Sequence, residues 1–456
     1  MIKFVAQLSR IPGMRTIKSH FLASVFCNRQ LMRRPLHVLS IEQMNVIKQL
    51  QRKLSSRCQI SSNKYLQDLH PTLVEWRHDF HRHPEIAFEE HRTSSLVEER
   101  LSSWNINVTK GVGCETGVVG TLHGTMPSVD KGNTISSVGL RADMDALPMT
   151  EENDFAHKST VPGKMHGCGH DGHTTMLLGC AKYLAEHRHT FNGTVHFIFQ
   201  PAEEDGGGGE KMVSDGLFTQ FPCDEIYGMH NWPLNLPPGQ ISVRTGPIMA
   251  CADDFEIVLT GAGGHAAMPH LTIDPIVMGS SLILSLQTLV SRTVDPLDPA
   301  VVSITGFEGG NGARNVIPES VKLVGTIRAF KEETRVLLKQ KLMEMCKATA
   351  ETYGGKYVLD YNDGYPATDN TPEQTEYAAQ VASSMVGPEN VVRDLTPTMG
   401  AEDFSYMLQK VPGCYIWLGS SSEYFLHHPK YDFDDDTLSL GASWFVNMVE
   451  NRLESC

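Results

Sequence analysis

Apolar residues follow no clear period over the first 65 positions and become patterned only afterwards. Leu73, Val74, Trp76 and Phe80 recur at helical spacing and predict a helix beginning near Pro71. His83-Pro84 should end it, because a residue before proline avoids the helical region. Three short apolar runs then read as strands, at residues 138–142, 194–199 and 226–229. Each runs into side chains that bind metal or move protons: Asp143 and Asp145 after the first, Glu203 and Glu204 after the second, His230 after the third. Ligands gather beyond the carboxyl ends of strands in open α/β sheets, so these endings predict one shared site. Between the first two strands, residues 174–185 carry Met176, Leu177, Leu178, Ala181 and Leu184, the pattern of a crossover helix.

From about residue 249 the pattern changes. Phe255-Glu256-Ile257-Val258-Leu259 alternates like a half-buried strand, and 276–290 is long and apolar enough for a helix. Residues 301–305 and 321–327 read as strands and 334–353 as a second helix. Strand, helix, strand, strand, helix is the pattern of a compact α+β insertion. The expected organisation is therefore a segment 1–65 outside the fold, an α/β domain over 66–248 and 362–456, and an inserted α+β domain over 249–361.

A length of 456 residues suits two to three domains of about 150 residues each. With 41% hydrophobic and 20% charged residues, the chain is neither a disordered acidic tail, a coiled coil nor a collagen-like fibre. It has no apolar run of about 18 residues, which predicts no membrane-spanning helix. The formal charge is −14, where a nucleic-acid binder shows a basic face, so neither membrane nor nucleic acid is an expected partner. The charge is uneven. Lys3, Arg10, Arg15, Lys18, Arg29, Arg33 and Arg34 precede the first acid, Glu42; setting these seven aside leaves −21 on the rest. An Arg-rich, Ser-containing, acid-free start has the composition of a transit peptide. The expectation is mitochondrial import with cleavage before about Asp68, with a plastid or the cytosol as alternatives. The 10 cysteines are scattered without a CxxC pair, which predicts free thiols.

The densest chemical signal is His166-Gly167-Cys168-Gly169-His170-Asp171-Gly172-His173. Thiolate and imidazole within eight residues select zinc or another divalent transition metal. A carboxylate pair after a strand lets one member bind metal while its neighbour handles protons. A second reading makes Cys168 a nucleophile activated by a nearby histidine. Nothing in the spacing excludes it. Gly206, Gly207, Gly208 and Gly209 do not form a phosphate loop, since no Gly-Lys-Ser/Thr follows and Glu204, Asp205 and Glu210 flank the run.

Several motifs stand in a familiar order. They are His78-Asp79-Phe80-His81-Arg82-His83-Pro84-Glu85, Leu140-Arg141-Ala142-Asp143-Met144-Asp145-Ala146-Leu147-Pro148, the octet, Gln200-Pro201-Ala202-Glu203-Glu204 and Gly228-Met229-His230. Further on come Gly263-Gly264-His265-Ala266-Ala267-Met268-Pro269-His270, Asn315-Val316-Ile317-Pro318, Gly400-Ala401-Glu402-Asp403-Phe404 and Leu426-His427-His428-Pro429. In these, the sequence resembles the amidohydrolase branch of the aminoacylase and carboxypeptidase G-type metallopeptidases, which includes hippurate hydrolases and plant auxin–amino acid conjugate hydrolases. The resemblance covers about residues 70–450. It implies an α/β fold in which a mixed central sheet flanked by helices carries an inserted, ferredoxin-like lid or dimerisation domain. It further implies two divalent metal ions per subunit, Mn2+ or Zn2+, held by Cys168, His170, Glu204, His230 and His427, with His428 as the fallback for the last. Glu203 takes the place of the general base, with Asp145 and Asp143 orienting the ligands. His265 resembles a histidine that reaches a neighbouring active site to stabilise the oxyanion, and Asn315 and Arg328 resemble residues that hold the substrate carboxylate. The implied reaction is cleavage of N-acyl amino acids to a carboxylic acid and a free amino acid, by a homodimer joined through the inserted domain. A dipeptidase or carboxypeptidase with the same metal chemistry is the alternative.

Overall fold

The computed structural model describes residues 63–127 and 135–453. The basic segment on which the import expectation rests lies outside the described residues.

Eight strands form one mixed sheet: β1 (Asn107–Lys110), β2 (Val118–His123), β3 (Ser137–Asp143), β4 (Thr194–Gln200), β5 (Glu225–Trp232), β6 (Ile241–Ser242), β15 (Val391–Val392) and β16 (Gly413–Gly419). Their order is β1-β2-β4-β3-β5-β16-β6-β15, and the central four, β4, β3, β5 and β16, run parallel. The three predicted strands are β3, β4 and β5. They read as near-continuous apolar runs because both faces are covered. Val195, Phe197 and Phe199 of β4 face one hydrophobic cluster and Ile198 faces the other. Helices α1 (Lys64–Arg82), α2 (His91–Ser103), α3 (His170–Glu186), α6 (Pro372–Val386) and α7 (Leu438–Arg452) are the long helices of this part of the chain, and α1, α3 and α7 pack on one another.

Two helices start earlier than their periodicity predicts. α1 begins seven residues before Pro71, because Asn63 caps it by accepting a hydrogen bond from the Tyr65 amide. It ends at Arg82, as His83-Pro84 requires. α3 begins at His170 rather than Thr174, and the reason is Gly169, which sits at φ +96° as the cap. A Cβ there would stand 2.3 Å from Asn231 Nδ2, so only glycine fits.

The remaining strands are β7 (Gly246–Met249), β8 (Ala252–Thr260), β9 (Gly264–His265), β10 (Ala300–Gly309), β11 (Val316–Ile317), β12 (Ser320–Ala329), β13 (Lys356–Tyr365) and β14 (Thr368–Asn370). β7 pairs with β14 and β9 with β11, while β10-β12-β8-β13 form an antiparallel sheet. With α4 (Pro275–Thr288) and α5 (Glu332–Tyr353) this makes a β-α-β-β-α-β unit of ferredoxin-like order. Its apolar core is separate, with Ile257, Leu259, Leu282, Leu323 and Leu338 fully buried. The sixth element, β13, runs to Tyr365 and was not evident in the apolar pattern. It is an edge strand, and Val358 faces solvent while Tyr357, Leu359 and Tyr361 turn to the core.

Candidate metal centre

The carboxyl ends of the four parallel strands converge. β3 delivers Asp143 and, after one residue, Asp145; β4 leads into Glu203 and Glu204; β5 holds His230; the loop after β16 brings His427. Cys168 and His170 arrive from the start of α3. Three donor triads each have their atoms within 4.8 Å of one another: Cys168 with His170 and His230, Cys168 with Glu204 and His427, and His170 with Glu203 and Glu204. Cys168 Sγ lies 3.4 Å from His230 Nε2, and His427 Nε2 lies 3.3 Å from Glu204 Oε2.

The imidazoles of His170 and His230 are each aimed by a partner on the far nitrogen. His170 Nδ1 is 3.1 Å from Asp145 Oδ1, and His230 Nδ1 donates to the Asn231 carbonyl at 2.6 Å. Carboxylate and carbonyl partners of this kind fix the tautomer and leave Nε2 as a lone-pair donor. Asp145 also accepts from the Glu204 amide at 2.9 Å, so one residue orients two candidate ligands. His427 adopts φ +64°, a left-handed conformation uncommon for a non-glycine residue, and its amide donates to Gly167 O at 2.8 Å. His428 turns away, stacked on Tyr424 with its ring centroid at 4.3 Å. Of the two adjacent histidines, His427 is the one that faces Glu204 and Cys168.

Among the described residues, two candidate ligand atoms have no hydrogen-bond partner although buried: His170 Nε2 and Glu204 Oε1, which lie 3.9 Å apart. Buried polar atoms are nearly always paired. Two facing acceptors left open in a shell of thiol, imidazole and carboxylate fit a bound cation, and the donor set matches divalent transition metals. The electrostatics agree. Burial lowers the His170 pKa, but Asp143, Asp145 and Glu204 outweigh it and raise the value to about 10, so the cluster draws positive charge onto itself. Burial, reinforced by Glu204, Glu203 and Asp143, pushes the Cys168 thiol well above its ordinary range. A thiol so placed is no activated nucleophile unless a cation offsets those charges.

Glu203 is buried, and its carboxyl is pushed well above the usual range by burial and by Glu402, Glu204, Asp403 and Asp145. Glu402 and Asp403 carry no role that the amino-acid sequence assigns. They share Arg141, which donates to Glu402 Oε1 at 2.9 Å, Asp403 Oδ1 at 3.0 Å and Asp143 Oδ2 at 2.8 Å. The signal available was a charged residue inside an apolar strand, since a buried arginine requires carboxylates around it. His173 donates to Asp143 at 2.6 Å, and Asp171 pairs with His81 at 2.8 Å. His166 is buried, both its ring nitrogens lack a partner among the described residues, and burial lowers its pKa to about 4.

The other three candidates lie elsewhere. His265 is exposed on β9, its Nδ1 accepting from the Ala267 amide at 3.1 Å, and it is registered opposite Val316 beside exposed Asn315. Arg328 is half-buried near the far end of β12. Eight residues separate it from Ser320, or roughly 26 Å at the usual strand rise. Among the described residues, none of the three bonds to the cluster, and Asn315 and Arg328 do not meet.

Comparison with known proteins agrees with this geometry. The pattern described as "Peptidase family M20/M25/M40" matches residues 139–451. A hippurate hydrolase of Campylobacter jejuni is 38% identical over 387 residues, covering 85% of this chain and 98% of its own. An IAA-amino acid hydrolase of Arabidopsis thaliana, ILR1-like 4, is 40% identical over 402 residues, covering 85% and 87%. The Bacillus subtilis YXEP protein, described as a dinuclear metal binding peptidase, superposes with a TM-score of 0.74 at 32% identity, covering 86% of this chain and 99% of that one. The chain therefore belongs to peptidase family M20/M25/M40.

Proposed function

We propose that the protein is a metal-dependent amidohydrolase that cleaves the amide bond of N-acyl amino acids, releasing a carboxylic acid and a free amino acid. The observation that carries this is the facing, unpartnered pair His170 Nε2 and Glu204 Oε1 beside two triads that share Cys168. Two divalent ions fit this shell, with Cys168, His170, His230, Glu204 and His427 as ligands and Asp145 orienting His170. When bound, such ions polarise an amide carbonyl and acidify water. Glu203 accepts the proton of the attacking water and returns it to the leaving nitrogen. The thiolate favours zinc and the carboxylates accommodate manganese.

The names of the relatives favour an acylated amino acid as substrate. Arg328 and Asn315 would hold its carboxylate and His265 would face the developing oxyanion. Arg328 stands near the far end of β12 while Asn315 precedes β11, so a second copy that supplied one of them would bring both to one substrate. Exposed Ile276, Val277 and Leu284 on α4 offer an apolar surface for a homodimer. The acid-free basic segment favours mitochondrial import, which mass spectrometry of the native N-terminus tests. The decisive assay incubates the protein with N-acyl amino acid and dipeptide panels, with and without chelator. Cleavage confined to dipeptides would replace this reading with a dipeptidase.

A further inference from the structure

The backbone that carries Glu203 is tied down at four points. Ala202, at φ +52°, donates its amide to Glu90 Oε1 at 2.9 Å, and its carbonyl accepts from the Gly208 amide at 2.9 Å. The Glu204 amide donates to Asp145 Oδ2 at 2.9 Å. The fourth tie is the Glu203 carbonyl, which accepts from the Tyr365 hydroxyl at 2.7 Å. No hydrogen bond to the Glu203 carboxylate itself occurs among the described residues, so backbone and packing set its direction.

The first three partners, Glu90, Gly208 and Asp145, lie outside the four-stranded sheet. Tyr365 does not. It is the last residue of β13 and is registered opposite Ala252, the first residue of β8. The chain thus enters and leaves the four-stranded sheet at this pair. The crossing is stiff. Gly364 donates its amide to Asp253 Oδ1 at 3.0 Å, and its carbonyl accepts from Arg335 at 2.9 Å and from Tyr406 at 3.2 Å. A Cβ on Gly364 would lie 1.9 Å from the Ala252 carbonyl, so a larger residue would force the crossing apart. Among the described residues, no other side chain of the four-stranded sheet bonds to residues 201–205.

We propose that Tyr365 is a positioning residue for Glu203, fixing the base's backbone to the crossing so that the orientation of the four-stranded sheet is transmitted to the base. This rests on the reading of Glu203 as the base. The test is Tyr365→Phe, which keeps the ring against Tyr406 and the glycine loop and removes only the hydroxyl. We expect kcat to fall on the order of tenfold, since small misplacements of reacting groups are costly, with KM and metal content unchanged. In a Glu203→Gln background the same change should cost nothing further, because a residue acting through Glu203 is not additive with its loss. Amide hydrogen exchange over residues 200–208 should quicken, with the rest of the chain unchanged. Wild-type kcat with wild-type exchange overturns the proposal. So does an equal fractional loss in both backgrounds, or faster exchange throughout the chain, which would mark a general structural role. Full activity of Glu203→Gln alone would sink the base assignment instead, and the exchange measurement still decides whether Tyr365 holds this segment.

Discussion

The two sheets carry their candidate chemistry in opposite ways. At the carboxyl ends of the large sheet, Cys168, His170, Glu203 and His230 are buried, and the far nitrogens of His170 and His230 are held by Asp145 and by the Asn231 carbonyl. On the four-stranded sheet His265 and Asn315 are exposed and Arg328 half-buried, with no bond to the cluster. A buried polar group must find its partners inside the chain, because leaving one unpaired costs roughly 1–3 kcal/mol. An exposed group is satisfied by water and is free to await a substrate or a second copy. The large sheet therefore holds a preformed centre, and the small sheet holds residues whose partners come from outside the chain.

The largest test of that contrast is removal of metal. Chelation should abolish turnover, and added manganese or zinc should restore it, with mass spectrometry finding no acyl adduct on Cys168. Trapping such an adduct would return Cys168 to the role of nucleophile. Next in size is Glu203→Gln, which keeps the shape but cannot take a proton. We expect a loss of about 10²–10⁴-fold in rate at unchanged metal stoichiometry. If that variant loses metal while Glu204→Gln keeps it, the two glutamates exchange roles.

The buried network of the large sheet should also show in the pH dependence of stability. Burial lowers the pKa of His81, but Asp171 and Glu151 raise it to about 9. A folded pKa above the unfolded value of about 6.5 means the stabilisation is fully present below pH 6.5 and is lost as pH rises through 9. The contribution is about 3 kcal/mol at most, at 1.36 kcal/mol per unit. Tm should fall steadily over that window, and a flat profile would mean that His81 is neutral in the fold. The smallest effect belongs to the exposed region. Arg328→Ala should raise KM roughly 10–100-fold for N-acyl amino acids, the worth of a charge-assisted hydrogen bond. It should matter far less for the matching amides, which lack the carboxylate. Equal losses on both would make Arg328 structural and erase the contrast.

Much of the buried centre was legible because its signals are local. An apolar run ending in Asp143, Glu203 or His230 is visible within ten residues, and the octet within eight. Yet of that octet only Cys168 and His170 fall in a triad with His230, Glu204 or His427, while His173 bonds Asp143 and Asp171 bonds His81. Arg141 meets Glu402 across 261 residues, a distance no period or spacing encodes.

The amino-acid sequence by itself determined the parallel strands, the two helices of the four-stranded unit and the ligand types, because burial on one face or two imprints an apolar period on the chain. Tertiary structure alone decided which histidine of His427-His428 faces Glu204, that Gly169 starts α3 at His170, and that Asn315 and Arg328 stand apart. It also brought Tyr365 to the carbonyl of Glu203. Each of these depends on backbone dihedrals and contacts between distant segments, which packing selects and local composition does not record.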